Sequence, residues 1–340
     1  MSEHTPAPRH RYERITRALL DEPWAILPSK LEAIADFVAL KAAGGALTEA
    51  EIEAVTMAAA PPSVAARGEG GGAIAVLPVF GVLRNRLNMM SAMSGGTSVE
   101  QLSAQFSQWV ADPNVAAIIL DTDSPGGSVG GIPEFAAKIA AARDVKPIVS
   151  IANHQMCSAA FWLGAAAHQV VISASAMLGS VGAVILHQEY SKADELAGVK
   201  FNPIFAGRYK VEGNDFEPLG DEARSALQAL VDDSYRLFTN DLARFRNISA
   251  ADARGARYGE GRVFGAREAV QRGMADRIET LPDLIARLSS AQARAAVMRS
   301  APPPKAIAAE TPLTDAEDAA SAPDIDMHEL AARVAARMEG

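Results

Sequence analysis

Two short runs constrain this chain more than anything else in it. Residues 115–120 (VAAIIL) and 147–152 (PIVSIA) are apolar at almost every position and rich in β-branched side chains. Strands of that kind are covered on both faces, as in parallel sheets flanked by helices. Helical spacing lies between them, over 98–111, with Ser98 as its cap, and over 132–143. The same alternation continues outward, with strands predicted at 73–82, 169–172, 182–186 and 201–205 and helices at 189–198, 221–246 and 266–272. The expected class is α/β.

Composition removes several functions. Against 32 basic side chains stand 41 acidic ones, a formal net charge of -9, which argues against a nucleic-acid backbone as partner. Cys157 is the sole cysteine, so neither an intramolecular disulfide framework nor a cysteine-built zinc site is available. No apolar run reaches the ~20 residues of a membrane-spanning helix. The first residues (MSEHTPAPRHRYERITR) are charged where a signal peptide is apolar. The expectation is a protein of the cytoplasm with no membrane anchor, metal or cofactor.

Three regions are predicted. Residues 1–66 read as a helical preface, with a proline-bracketed apolar patch at 21–28 (DEPWAILP), helices at 30–43 and 48–60, and a glycine linker at 68–72 beyond it. Residues 67–290 carry the alternating pattern. Residues 291–340, rich in Ala, Pro and acid, read as a disordered tail in which 327–338 has helical amphipathicity.

Candidate chemistry gathers at two junctions. In 153–164 (NHQMCSAAFWLG) a buried strand is predicted to hand over to an alanine-rich helix at Ser158. A hydroxyl there stands among unpaired helix N–H groups, which suits a nucleophile and suits an N-cap equally well. The second junction, 121–131 (DTDSPGGSVGG), reads as a turn after a strand ending at Leu120. Gly126 and Gly127 allow successive N–H groups to point the same way, a concavity for an oxyanion. Successive βα units place both junctions on one edge of a parallel sheet. The base is less clear. His154, His168 and His187 have no Gly-x-Ser-x-Gly elbow to serve and read as surface or core residues, whereas Lys210, in 205–215 (FAGRYKVEGND), reads by composition as an exposed loop lysine. A lysine acts as base only where burial lowers its pKa from the reference of ~10.4.

The ordered series DTDSPGG, MCSAAFWLGAAAHQVV, GSVGAV and FAGRYKVEGN resembles the S49 family of serine peptidases, the signal peptide peptidase A group. Within it, EPWAILPSKLEAIADFV, AVLPVFGVL and the Cys157–Ser158 pair are similar to the head maturation proteases of lambda-type phages. The resemblance implies a ClpP/crotonase-like fold of repeated ββα units with helices flanking a mostly parallel sheet. It implies Ser158 as nucleophile and Lys210 as general base. The backbone N–H groups of Gly127 and Ala159 would form the oxyanion hole, with Gly126 and Ser180 in support. It also implies a homo-oligomer in which the lysine can come from a neighbouring protomer. The implied substrates are phage portal, scaffold or capsid proteins, the protease itself being a further candidate, and the implied setting is the host cytoplasm or the prohead. Cys157 remains an alternative nucleophile, and a cytosolic signal-peptide-peptidase-like protease and a non-catalytic capsid assembly factor remain alternative functions.

Overall fold

The computed structural model describes residues 22–32, 34, 63–67, 72–86 and 96–300. The chain divides into two units, 1–305 and 306–340, and the second lies outside the described residues. So do the helix predicted at 48–60, most of that at 30–43, and the amphipathic stretch at 327–338.

One sheet organises the first unit. Its order is β10 (Arg277–Ile278), β7 (Gln169–Ile172), β6 (Ile148–Cys157), β5 (Val115–Ser128), β3 (Ala73–Arg84) and β2 (Ser63–Arg67). All neighbours on this path are parallel except β2, which pairs antiparallel with β3. Four short strands join at the margins: β1 (Trp24–Ile26), β4 (Thr97–Ser98), β8 (Met177–Gly179) and β9 (Val263–Gly265).

The fully apolar strands are explained by what covers them. Successive side chains point to opposite faces. Ala75, Leu77, Ile118, Leu120, Ile148 and Ala152 enter one core together with α1 (Val99–Ala111), α2 (Ile132–Ala141), α3 (Ala159–Ala165) and α5 (Asp221–Arg246). Ile74, Val76, Ala117, Ile119, Val149 and Ile151 enter a second with Leu284 and Leu288 of α8 (Leu281–Ser289) and Val297 of α9 (Ala291–Ser300). The remaining helices are α4 (Ser191–Leu196), α6 (Ala250–Arg254) and α7 (Ala266–Gln271). Ser98 caps α1, its hydroxyl accepting from the Gln101 amide.

Five expectations change. The strand predicted to end at Leu120 runs on to Ser128, because β1 and β3 supply ladder partners on both sides of its second half. The strand predicted at 182–186 is reduced to one bridge, Trp24 with Val184, the true strand β8 lying a few residues earlier. Residues 201–205 are an exposed, irregular arm. Residues 291–300, assigned to the tail, are helix α9 with Val297 buried, and residues 22–26, assigned to a preface, are part of the sheet.

The two long strands each change partner half way. β6 pairs with β7 through Val149–Ala152 and with β8 through Gln155–Cys157. β5 pairs with β6 as far as Ser124 and with β1 from Gly126 onward. Each is two strands fused end to end, so a ββα unit appears here as one long strand and a helix.

Candidate active site

Ser158 stands where β6 ends and α3 begins. Its backbone has φ 53 and ψ -118, a region that side-chain-bearing residues avoid. Conformations of this kind cost of the order of 1–3 kcal/mol and persist where the surroundings impose them. Here the surroundings are explicit. The Ser158 amide donates to the Gly179 carbonyl at 2.8 Å, and the Ser158 carbonyl accepts from the Trp162 amide at 2.9 Å. The hydroxyl makes no capping bond and turns instead to the Gly182 carbonyl at 3.5 Å. Of the two readings of this serine, nucleophile or cap, the cap is the one its side chain does not perform.

Gly126 and Gly127 lie in the adjacent strand, with Ser124 of β5 opposite Met156 of β6. They are strand residues, Gly126 at φ +106, and both are needed for close approach. A Cβ on Gly127 would come within 1.9 Å of the Leu83 carbonyl oxygen, and one on Gly126 within 2.2 Å of the Ala25 oxygen. Gly127 is paired with Ala25 in the antiparallel ladder. The pairs two positions to either side are bonded ones, the Leu27 amide to the Pro125 carbonyl (2.9 Å) and the Val129 amide to the Pro23 carbonyl (3.1 Å). Positions two apart in such a ladder are of one kind, so the Gly127 amide faces β1. The concavity expected at a turn is therefore a strand edge already in use. Ala159 is the first residue of α3 and fully buried, so its amide belongs to the unpaired first turn.

Lys210 is placed differently. It lies exposed in a turned segment of the arm, its amide bonded to the Gly207 carbonyl, and its ammonium has no hydrogen-bond or ion-pair partner among the described residues. No hydrogen bond joins it to Ser158, which is only 1% exposed. Ser180 is buried with φ 55, and its amide donates to the Arg262 carbonyl at 2.7 Å. A cleft of about 270 Å³ between the arm and α5, lined by His187, Glu212 and Leu227 among others, contains none of the predicted site residues.

The remaining candidates separate by environment. Burial in the core pushes the Cys157 thiol up to about 12, so the thiolate a nucleophile requires is suppressed. His168 is buried, accepts the Ile148 amide on Nδ1 at 3.1 Å, and is pushed down to about 4 by that burial and by the nearby Arg143 charge. It is a neutral core acceptor. His154 is exposed. The sequence reading missed the participation of β1 and of the Gly182 carbonyl. The proline-bracketed DEPWAILP patch was the visible signal for the first, and nothing in the residue types marked the second.

Fold and site together describe an α/β protein that presents a serine on a strained junction at the end of a buried strand. Residues 140–295, a little under half of the chain, match the model of Peptidase family S49. The match includes Ser158, Ser180 and Lys210 and leaves Gly126 and Gly127 outside it. The chain is 35% identical over 212 residues to "Capsid assembly protease C" of Escherichia phage lambda, an alignment covering 62% of this chain and 48% of that protein. It is 34% identical over 218 residues to "Head-tail preconnector protein GP5" of Enterobacteria phage P21, covering 64% and 43%. This chain thus spans about half the length of these relatives. Among solved structures, the "1510-N membrane-bound stomatin-specific protease K138A mutant in complex with a substrate peptide" aligns with a TM-score of 0.37 at 14% identity, over 62% of this chain and 76% of that one.

Proposed function

We propose that this chain is an endopeptidase that cleaves phage head proteins during capsid assembly, with Ser158 as nucleophile and Lys210 as general base. The observation that carries the reading is the strained Ser158, whose hydroxyl is held at the end of β6 and spared from capping. The match to the S49 family model and the names of the lambda and P21 relatives support it. Lys210 takes the hydroxyl proton, Ser158 attacks the peptide carbonyl, and water resolves the acyl-enzyme. The amides of Gly127 and Ala159 stabilise the oxyanion, each such donor being worth roughly 100- to 1000-fold in rate.

The lysine comes from a neighbouring protomer of a homo-oligomer. Lys210 is exposed and has no partner among the described residues, on an arm that also exposes Leu196, Ile204 and Phe205. Covering an ammonium in an interface favours the neutral form that a general base requires. The peptidase unit runs from the β1 region through α9, in place of the 67–290 expected, and works in the host cytoplasm or inside the prohead. No described helix is long and apolar enough to cross a membrane.

A second reading, a non-catalytic assembly factor, is favoured by one observation: no bond links Ser158 and Lys210 within the chain. Mass spectrometry of co-expressed portal and scaffold proteins separates the two. Discrete cleavage products are expected with the parent chain and none with folded Ser158→Ala or Lys210→Ala. Partners that remain bound and intact with all three chains would favour the assembly factor.

A further inference from the structure

The sheet has a gap beside Ser158, and the chain's own residues fill it. As far as Cys157, β6 lies between two neighbours, with Ser124↔Met156 on the β5 flank and Cys157↔Gly179 on the β8 flank. At Ser158 the chain leaves the sheet for α3, while the flanks continue as residues 126–129 and 182–186. The lane between them holds β1. On one edge it is bonded to β5 through Leu27 and Val129, and on the other the Trp24 amide donates to the Val184 carbonyl (2.9 Å) and the Val184 amide to the Trp24 carbonyl (2.8 Å).

An extended peptide bonded on both edges, beside a nucleophile, is how a protein substrate adds to a sheet. The occupant is well anchored. Trp24 is fully buried beside Ile26 and Leu31, with Val82, Val184 and Leu186 packed around them. The Arg84 guanidinium lies 4.8 Å from the Trp24 ring centroid and pairs with Glu22 at 2.7 Å. Ala25, opposite Gly127, is small where the backbones approach most closely.

We propose that this lane is the peptide-binding site and that residues 22–27 are its built-in occupant, excluding other peptides until β1 withdraws. The proposal rests on the assignment of Ser158 as nucleophile. While β1 is in place it faces the Gly127 amide and closes the site. The substrates are extended segments with a small residue opposite Gly127 and bulky apolar residues on either side.

The test is direct binding in the full chain carrying Ser158→Ala, where no catalysis is needed. The probe is a fluorescein-labelled synthetic peptide of residues 20–29, LDEPWAILPS, followed by anisotropy. Two further chains loosen the occupant. Trp24→Ala empties its pocket, and Ala25→Pro keeps the tryptophan but removes one ladder donor. Each is first checked for native circular dichroism. The peptide is expected to bind either loosened chain at least tenfold more tightly than the parent, and a scrambled peptide to bind none. Equal affinity for all three chains, or no binding to a folded loosened chain, overturns the proposal. Should neither variant fold, hydrogen exchange of the parent decides: excess peptide must accelerate exchange at Trp24, Ala25 and Leu27, and unchanged exchange overturns it. A chain that binds the peptide in this way yet never cleaves would defeat the catalytic reading and leave the lane intact.

Discussion

Cys157 and Ser158 are adjacent, and one step along the chain separates an inert group from a candidate nucleophile. Cys157 is the last residue of β6 and points into the core, where burial holds its thiol protonated. Ser158 leaves the strand with a left-handed φ that swings its hydroxyl out of the ladder. Iodoacetamide at pH 8 is therefore expected to leave the native chain unmodified and to alkylate it in urea, and Cys157→Ala to keep full peptidase activity. Labelling of the native thiol, or loss of activity on its removal, would return the cysteine to candidacy. The junction at Ser158 was legible because an apolar β-branched run passes directly into an alanine-rich one. The glycines were legible as special, and Gly126 does take the positive φ expected of it, but in a strand and not in a turn. Both are further required by the approach of two other backbones, which no single stretch of sequence records.

At the scale of elements, the serine is held by a clamp between two helices. Trp162 of α3 stacks on Phe238 of α5 with ring centroids 4.5 Å apart and planes 6° from parallel, and its indole Nε1 donates to Asp241 Oδ2 at 2.8 Å. Arg244 pairs with the same carboxylate at 2.7 Å. The short, fully buried α3 thus rests on the longest described helix. Phe238→Ala is expected to cost about 3–5 kcal/mol, as large-to-small changes at fully buried aromatic sites do. Urea unfolding would measure it, and a loss under about 1 kcal/mol would mean the stack does not carry the packing. Of the helices, α1, α2, α5 and α7 were legible from spacing and capping. α9 was not, because its alanine and arginine content resembles the tail that follows, and no helix was predicted over the short α8. Yet the strands themselves called for them. Residues 115–120 and 147–152 are apolar on both faces, and α8 and α9 supply the cover for the second.

For the molecule as a whole, the proposed completion of the site by a neighbour turns on the arm around residues 196–210. Ile204 is fully exposed and Leu196 91% exposed, which marks surface awaiting cover. If Lys210 serves a neighbour, two inactive chains must restore one another. Ser158→Ala supplies the lysine and Lys210→Ala the serine, so a 1:1 mixture, dissociated and reassembled, should recover about a quarter of parental activity in a head-to-tail ring. No recovery from chains that demonstrably co-assemble would place the lysine within the protomer. The sequence read the lysine as an exposed loop residue, and within one protomer that is where it lies. Its catalytic assignment came from resemblance alone, because a base supplied across an interface leaves no trace in the local composition of either partner.

The strand Trp24–Ile26 is tethered to the site it fills, and that has a kinetic meaning. A tethered competitor acts at an effective concentration on the order of millimolar, independent of how dilute the protein is. A free substrate in solution would have to exceed that level, or bind far more strongly, to gain entry. Proteins packed beside the enzyme in a closed shell reach such concentrations without special affinity. Cleavage would then report confinement, with the protease quiescent while dispersed and active once its targets are crowded around it.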